Sequence, residues 1–551
     1  MPLETPARIV RELARRGYNA EREAVTLLAG AADPATAVDA AVETAPDDAL
    51  RLTTDHVRSA LSVANDEPSP EAAAGTGTPD ATSPDTAPPD ATSPDTAPPD
   101  ATSPDSARTA PTSDDTTAST PNKNTDISTT KSGTPPETKG SPDSATPARQ
   151  PEPPAVVGDI TGRSTGTGEY GDFVSVFRDR YEKLSGQLRG RVNHRPASAI
   201  DDMPGGSDVA MIGLVNDIRS SANGHWIVEL EDTTGTFPCL VTKDRDIADL
   251  VDELLLDECV AVEGTLSDDA GIVFVDALYF PDVPRTYRPN TADRHVQAAL
   301  ISDVHVGSQE FMADAWERFA DWLHTEEAAA VEYLLIAGDM VEGVGVYPDQ
   351  DEELDIVDIY DQYERFSEHL KAVPGDMEIV MIPGNHDAVR LAEPQPAFDE
   401  ELRDIMTAHD ARIVGNPSTV TVEGVSILMY HGVSLDEVIA ELPEAKASYD
   451  DPHRAMYHLL KKRHVAPKYG GHMRLAPEER DYLVVEDVPD VFHTGHVHKL
   501  GYGKYHNVLA VNSGCWQAQT AFQKSVNIDP DAGFAPIVDL DTLDLTVRKF
   551  A

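Results

Sequence analysis

Five short motifs of aspartate, asparagine and histidine follow one another along the C-terminal half of the chain. They are Asp303-Val304-His305, Gly338-Asp339, Gly384-Asn385-His386-Asp387, His431-Gly432 and Gly495-His496-Val497-His498. Each motif alone is typical of a polar turn. Together, their carboxylate, imidazole and amide groups suit two divalent ions, with Mn²⁺ first and Mg²⁺, Zn²⁺ or Fe²⁺ as alternatives. Two ions held about 3.5–4 Å apart need a bridging carboxylate, and such pairs promote phosphate ester hydrolysis.

Each motif directly follows an apolar stretch that predicts a buried β-strand. These stretches are residues 295–302, 333–337, 378–383, 425–430 and 491–494. Predicted helices near residues 312–324, 352–371 and 398–408 alternate with them. This alternation is typical of an α/β layered domain. Because open α/β sheets bind ligands at the carboxyl ends of their strands, we expect the motifs to meet at one edge.

The order of the motifs resembles the calcineurin-like metallophosphoesterase family, from about residue 296 to the C-terminus. The resemblance implies a metallophosphoesterase αββα sandwich with two metal sites. It assigns one ion to Asp303, His305 and His498, the other to Asn385, His431 and His496, and the bridge to Asp339. It gives His386 no metal; this residue would act as a general acid or as a donor to the phosphoryl oxygens. Asp387 would fix the tautomer of His386.

The chain is strongly acidic, with 96 acidic and 44 basic residues among 551 and a net charge of −52. This balance favours a highly solvated surface and resembles the proteins of halophilic archaea. Three distant cysteines argue against a disulfide framework or a zinc ribbon. The chain has no apolar run of about 18 residues and no signal-peptide core, so we expect a cytoplasmic protein with no membrane contact.

The N-terminal part of the chain divides into two regions. Residues 1–65 predict a helical region, since Ile9, Val10 and Leu13 recur at helical spacing. It could be a small bundle or a module that docks a partner. Residues 66–168 contain ten-residue repeats rich in Pro, Thr, Ser, Asp and Ala. This region has almost no large apolar residues, which predicts a disordered acidic linker.

Two further elements precede the motifs. Residues 169–204 predict an amphipathic helix and a connector, with Phe173, Phe177 and Tyr181 on one face and basic residues around it. The helix could pack on the next domain or contact nucleic acid or an acidic partner. Residues 205–285 predict five strands, with a helical stretch between the third and fourth, as in an OB-fold β-barrel. Few aromatic residues look exposed, which favours protein binding over single-strand binding.

The densest basic cluster of the chain lies shortly before the last motif, which carries His496 and His498. It comprises Lys461, Lys462, Arg463 and Lys468. We interpret these side chains as contacts to a DNA backbone beside the metal site. The alternative is a solvated helix end.

The whole layout, with the motif domain at residues 295–551, is similar to a narrower family, the small subunits of archaeal family D DNA polymerases. Residues 177–181, 460–467, 492–498 and 511–517 carry this resemblance, which spans about residue 172 to the end. It implies a proofreading 3′→5′ exonuclease that degrades single-stranded or mispaired DNA ends. It also implies a heterodimer with a large catalytic subunit that carries out DNA synthesis. The alternatives are a repair-type nuclease or phosphodiesterase and a non-catalytic scaffolding subunit.

Overall fold

A computed structural model describes residues 5–46, 49–66, 151–164, 166–347, 350–471, 473–525 and 527–551. The N-terminal region is helical, as predicted. Its elements are α1 (Pro6–Arg15), β1 (Asn19–Ala20), α2 (Arg22–Ala29), α3 (Pro34–Thr44), β2 (Arg51–Leu52) and α4 (Thr54–Asp66). Helix α3 begins where Asp33 accepts hydrogen bonds from the backbone N–H groups of Ala35 and Thr36, the usual role of an N-cap aspartate.

The N-terminal module is fixed to the rest of the described chain by hydrogen bonds to backbone carbonyls. Asn19 Nδ2 donates to the carbonyl of Val373 at 2.9 Å, and Arg51 Nη1 donates to that of Gly375 at 2.6 Å. Ala372 packs against the apolar core of the module. The helices therefore form a docked part of one folded body.

The predicted linker is ordered at its C-terminal end. Most of it, residues 67–150, lies outside the described residues. Strand β3 (Ala155–Val157) pairs antiparallel with β13 (Ser418–Val422), and Ile160 is fully buried. The prediction of disorder up to residue 168 is wrong for this stretch, because its few apolar residues complete a sheet edge formed far along the chain.

Paired truncations test this edge. A chain beginning at residue 151 keeps β3 and Ile160, whereas a chain beginning at residue 169 loses both, and each lacks the N-terminal module. We expect the shorter chain to lose at least about 2 kcal/mol of unfolding free energy, the contribution of one buried isoleucine. Denaturant titration at fixed salt measures the difference. Equal stabilities would show that the strand only lies on the surface, and Ile160→Ala in the longer chain serves as the internal comparison.

A closed five-stranded barrel follows, as predicted. Its elements, with the helices before it, are α5 (Tyr170–Leu188), α6 (Ala197–Asp201), β4 (Asp208–Ser220), β5 (Trp226–Asp232), β6 (Gly235–Val241), α7 (Ala248–Val251), β7 (Cys259–Leu266) and β8 (Val273–Tyr279). The strand order is β4-β5-β6-β8-β7. Helix α5 packs on the barrel through Leu184 and Leu188, which meet Ile212 and Ala261. The packing interpretation of the amphipathic helix is therefore confirmed.

The remaining residues form two six-stranded sheets and their helices. The first sheet has the order β12-β11-β10-β9-β18-β19, and the second has the order β16-β17-β15-β14-β13-β3. The strands not yet given are β9 (Gln297–Ile301), β10 (Val331–Ala337), β11 (Glu378–Ile382), β12 (Arg412–Ile413), β14 (Val425–Met429), β15 (Val491–Thr494), β16 (Leu500–Tyr505), β17 (Val508–Ser513), β18 (Phe534–Asp539) and β19 (Asp544–Lys549). The helices are α8 (Ala313–Leu323), α9 (Ile359–Leu370), α10 (Glu400–Ile405), α11 (Ser434–Glu441), α12 (Pro452–Lys462) and α13 (Ala521–Ser525). Short 3₁₀ turns lie at Glu326–Ala328, Gln350–Glu352 and Thr407–His409.

The two sheets pack face to face between layers of helices. Leu300 and Leu335 of the first sheet meet Ile427 and Val491 of the second in one buried core. Helices α8 and α9 cover the outer face of the first sheet, and α11 and α12 cover that of the second. This helix–sheet–sheet–helix arrangement brings the carboxyl ends of the central strands of both sheets together. No helix among the described residues is long and apolar enough to cross a membrane.

Candidate metal centre

The seven predicted metal ligands lie just past the carboxyl ends of five strands. Strands β9, β10 and β11 of the first sheet and β14 and β15 of the second supply them. In chain order they are Asp303, His305, Asp339, Asn385, His431, His496 and His498. Because these strands are parallel within each sheet and the sheets face each other, all five ends open into one cleft.

The first group of ligands consists of Asp303, His305 and His498, all buried. The Nε2 atoms of the two histidines lie 3.0 Å apart. Asp303 Oδ1 lies 3.9 Å from Nε2 of His305 and 3.4 Å from Nε2 of His498. Two ring nitrogens and a carboxylate oxygen thus point at one another, the donor set of a divalent ion site.

The second group gathers around His431. Its Nε2 lies 3.1 Å from Asp339 Oδ2 and 2.9 Å from Asn385 Oδ1. Its Nδ1 donates to the carbonyl of Ala337 at 2.8 Å, which leaves Nε2 as the nitrogen able to bind an ion. His496 belongs to the same group. Its Nε2 lies 3.0 Å from Asp436 Oδ2, so Nδ1 is the nitrogen left for an ion.

Asp339 lies between the two groups. Besides its contact with His431, its Oδ2 is 3.9 Å from Nε2 of His305 in the first group. Burial alone would raise its pKa, but the nearby imidazoles, above all that of His431, hold the pKa well below its usual range. Burial would likewise raise the pKa of Asp303, but the contact with His498 lowers this pKa below its usual value. Two buried carboxylates that stay charged beside imidazole rings fit divalent cations, whose charge would take the place of the protons on those rings.

The backbone at the ligands is unusual. Five of the seven have positive φ angles between 51° and 72°. They are Asp303, His305, Asp339, His496 and His498. A residue with a side chain in this left-handed region costs roughly 1 kcal/mol or more, so the surrounding sheets must hold these turns in place.

His386 lies in the cleft with a defined ring orientation. Its Nδ1 donates to the backbone carbonyl of Glu342 at 2.8 Å, and its backbone N–H donates to Asp339 Oδ1 at 2.8 Å. A proton taken up by the neutral ring therefore goes to Nε2. Burial lowers the pKa of His386, while the carboxylate of Asp339 acts in the opposite direction.

Asp387 does not fix the tautomer of His386, and that prediction is wrong. Its carboxylate accepts hydrogen bonds from the backbone N–H of Gly384 at 2.8 Å and from the Tyr363 hydroxyl at 3.0 Å. It also faces the backbone N–H of Met340 at 3.2 Å. Burial, reinforced by Asp339, raises its pKa to about 7. Asp387 therefore holds the turn that carries Asn385 and His386 against the turn after β10.

Three polar residues that sequence analysis missed contact the ligand histidines. Glu342 Oε2 lies 2.9 Å from Nδ1 of His305, at ion-pair distance although the ring N–H is not aligned for a hydrogen bond. Asp436 contacts His496, and the side-chain amide of Gln523 lies 2.8 Å from Nδ1 of His498. Such partners orient metal-binding histidines. Glu342 could have been found from its place three residues after Asp339, whereas Asp436 and Gln523 carry no local signal.

Glu342 is a buried carboxylate with several partners. Gln517 Nε2 donates to its Oε2 at 2.7 Å, and the Tyr347 hydroxyl donates to its Oε1 at 3.2 Å. Burial would raise its pKa, but the imidazoles of His305 and His386 bring the pKa down to about 2. The residue therefore adds a third negative charge beside the first group of ligands.

The four predicted DNA-contact residues are all engaged within the protein. Lys462 and Arg463 are buried, and Lys461 and Lys468 are paired with carboxylates. The partners are Glu258 for Lys462, Glu253 for Lys461, the carbonyls of Val485 and Glu486 for Arg463, and Glu437 and Glu441 for Lys468. Glu253 and Glu258 follow α7 of the barrel, so Lys461 and Lys462 join the barrel to the layered unit. Arg463 and Lys468 contact groups within the layered unit itself.

Replacing Lys462 by methionine should destabilise the protein by about 3–5 kcal/mol. The Nζ of Lys462 lies 2.6 Å from Glu258 Oε2 with both side chains buried, so the change leaves an unpaired buried carboxylate. Burial lowers the pKa of Lys462 and raises that of Glu258, so a double change to Met and Leu should restore most of the stability. Denaturant titration measures both, and Lys504→Met, at an exposed position, is the control. A Lys462→Met protein that kept its stability but lost DNA affinity would support the interpretation of Lys462 as a DNA contact.

Known proteins resemble this chain over its whole length. Across all 551 residues it is 65% identical to the DNA polymerase II small subunit of Halobacterium salinarum, with 100% of both chains covered. This chain belongs to the family of archaeal DNA polymerase II small subunits. The family member from Archaeoglobus fulgidus is 45% identical over 386 residues, which cover 69% of this chain and 77% of that one. The member from Pyrococcus furiosus is 40% identical over 396 residues, covering 68% and 64%.

The family model for the B-subunits of DNA polymerases alpha and epsilon matches residues 298–500 of this chain. That range contains all seven predicted ligands. The likeness to a Halobacterium protein agrees with the predicted halophilic origin. Among solved structures, a novel archaeal phosphodiesterase aligns with 46% of this chain and 99% of its own at 13% identity. Its TM-score of 0.24 is too low to support any conclusion about the fold.

Proposed function

We propose that this chain is the proofreading 3′→5′ exonuclease subunit of a DNA polymerase. It would remove nucleotides from single-stranded or mispaired DNA ends with the help of two divalent ions, for which Mn²⁺ is the favoured candidate. The observation that carries the proposal is the convergence of seven ligand side chains into two groups that share Asp339. We read the layered unit as a calcineurin-like metallophosphoesterase domain and the barrel as an OB-fold.

The reaction is hydrolysis of the terminal phosphodiester. Water adds to phosphorus, the bond to the 3′ oxygen of the preceding nucleotide breaks, and the products are a nucleoside 5′-monophosphate and a shortened strand. Bound divalent ions would activate the water and neutralise charge on the phosphate. Asp303, His305 and His498 would hold one ion, Asn385, His431 and His496 the other, and Asp339 both.

His386 would deliver the proton to the departing 3′ oxygen. Its Nδ1–H is committed to the Glu342 carbonyl, so a proton gained by the ring sits on Nε2. The carboxylates of Asp339 and Glu342 favour this charged form, against the effect of burial. A positioned acid of this kind contributes roughly 10²–10⁴-fold to such a reaction.

The partner would be the large catalytic subunit of the polymerase. The relatives carry the name of a small subunit, which supports a heterodimer that acts on DNA. The barrel, α5 and the layered unit are fastened by buried ion pairs, so this chain would present one rigid surface to that subunit.

An end-labelling assay tests the function. The full-length chain, alone and co-expressed with its large subunit, is incubated with Mn²⁺ and 5′-labelled oligonucleotides that are single-stranded, paired or mispaired at the 3′ end. We expect stepwise shortening from the 3′ end, fastest on unpaired termini. Internal cleavage would favour the repair-type nuclease. An inactive complex that still synthesises DNA would favour the scaffolding subunit.

A further inference from the structure

An exposed aromatic pair borders the metal cleft. Phe522 of α13 is 51% exposed, a high fraction for a phenylalanine beside a buried site. Its ring stacks on that of Tyr347, with centroids 5.6 Å apart and planes inclined by 25°. The Tyr347 ring in turn lies 6.4 Å from that of His386. The pair is therefore adjacent to the residue proposed to protonate the leaving group.

Both members of the pair are tied to the metal centre by their neighbours. The Tyr347 hydroxyl donates to Glu342, which faces His305. Gln523, next to Phe522 on the same short helix, contacts His498. The aromatic rings are thus held at a fixed position relative to the ligands rather than carried on an unrelated surface.

The same cleft offers no positive side chain for a DNA strand. Among the described residues that line it, none is lysine or arginine, whereas Glu342 and Asp436 are acidic. The lysines of the basic cluster are paired with carboxylates, Lys461 and Lys462 at the barrel contact and Lys468 on α11. Phosphate contacts also weaken steeply with salt, and the screening length falls to about 3 Å at 1 M. Strand binding at this acidic cleft, above all at high salt, is therefore better served by a contact that does not rely on cationic side chains.

We propose that the Tyr347–Phe522 pair is a stacking platform for an unpaired nucleobase next to the scissile phosphate. A third aromatic residue, Tyr449, lines the cleft at 40% exposure and donates its hydroxyl to Asp436, the partner of His496. This inference rests on the proposed exonuclease function. It names the substrate feature that the site selects, an end whose bases are free to stack on protein.

The platform explains a preference for unpaired ends without any reading of sequence. A base within a duplex has its faces covered by its neighbours, whereas a frayed or mispaired base can leave the stack at low cost. Every base has a π-face, so stacking on an aromatic ring tolerates all four. The contact also involves no ion pair, so it persists where salt suppresses phosphate contacts.

Substitution of Phe522 tests the platform in the full-length chain. We expect Phe522→Leu to lower the ratio of kcat/KM for a single-stranded oligonucleotide to that for a small chromogenic phosphodiester by about tenfold, the typical effect of losing one stacked base. Phe522→Tyr keeps a ring and should keep the ratio. Tyr502→Leu removes an aromatic residue of similar exposure, 50%, that is not among the cleft residues, and serves as the matched control.

An abasic substrate separates stacking from simple loss of packing. An oligonucleotide whose terminal nucleotides lack bases should be a poor substrate for the unaltered protein and should show no further loss with Phe522→Leu. The effect of the substitution should also stay constant across a salt series, unlike that of a lost phosphate contact. An unchanged ratio in Phe522→Leu, or an equal loss on the abasic strand, would overturn the platform while leaving the exonuclease intact.

A binding measurement keeps the two proposals distinguishable. A strand with 2-aminopurine at its 3′ end is titrated with the chain in the presence of Ca²⁺, and stacking on a ring quenches the fluorescence. Quenching that Phe522→Leu removes would support the platform even if the chain hydrolyses neither substrate, a result that would reject the exonuclease function. Absence of quenching in the unaltered protein would overturn the platform.

Discussion

Asp339→Asn is expected to lower DNA hydrolysis by more than about 10³-fold and to reduce the content of both ions. Asp339 lies between the two ligand groups, and an amide lacks the charge that a bridging carboxylate brings to two cations. Removing one electrostatic contact to the reacting centre already costs roughly 10²–10³-fold, and here both ions are affected. Turnover on a labelled single strand and metal content by mass spectrometry measure the two effects.

The control for this change is Asp544→Asn, at an exposed position where β19 begins. Thermal unfolding in the presence of a chelator shows whether the variant keeps its fold, since Asp339 also accepts a hydrogen bond from the backbone of His386. A folded Asp339→Asn protein that retains both ions and most of its activity would reject the shared-ligand arrangement.

His386→Ala should lower turnover by roughly 10²–10⁴-fold while the metal content stays nearly unchanged. The ring has its Nδ1 on the Glu342 carbonyl and lies in the cleft, so its loss removes the proton donor and no expected ligand. The comparison of interest is with Asp339→Asn, in which activity and metal content fall together. His194→Ala, at a partly exposed histidine that belongs to none of the possible metal-binding groups of the described residues, controls for the loss of an imidazole.

A fall in metal content in His386→Ala equal to that in Asp339→Asn would show that His386 is itself a ligand. The proximity of His386 to His305 and Glu342 makes this a real alternative, because these three side chains could also hold an ion. Activity on a diester with a good leaving group discriminates further. The leaving group of such a substrate departs without being protonated. A general-acid role for His386 therefore predicts a smaller loss of activity on this substrate than on DNA.

That the candidate metal ligands would gather at one edge could be predicted because the signals are local. An apolar strand followed at once by Asp, Asn or His identifies both the element and the end at which the side chain lies, as with β9 and Asp303. The pairing partners of Lys462 could not be predicted in this way. Its neighbours in sequence are basic, and the carboxylate that neutralises it follows a helix of a different domain. Burial and pairing across long separations leave no local trace.

The predictions made for residues 155–157 and for Asp387 were wrong for the same reason. In the sequence, Ala155–Val157 is a short stretch at the end of a polar region. It forms a strand because it pairs with the edge of the sheet at β13. Asp387 stands beside His386 in sequence, yet the turn directs its carboxylate to backbone N–H groups of Gly384 and Met340. Adjacency along the chain predicts which residues share a turn, but the direction of each side chain depends on tertiary contacts.

The left-handed backbone at five of the ligands has an evolutionary consequence. Holding those turns costs folding stability, and glycine or asparagine would occupy the same backbone more easily. Under the proposed function, selection for catalysis maintains this centre against substitutions that would make the protein more stable. A related protein that no longer needed the proposed hydrolysis would lose these side chains quickly and become more stable. Selection for folding and for partner binding would still preserve its sheets, its barrel and its partner-binding surface. The same fold can thus persist in a protein that has lost the residues of the proposed site.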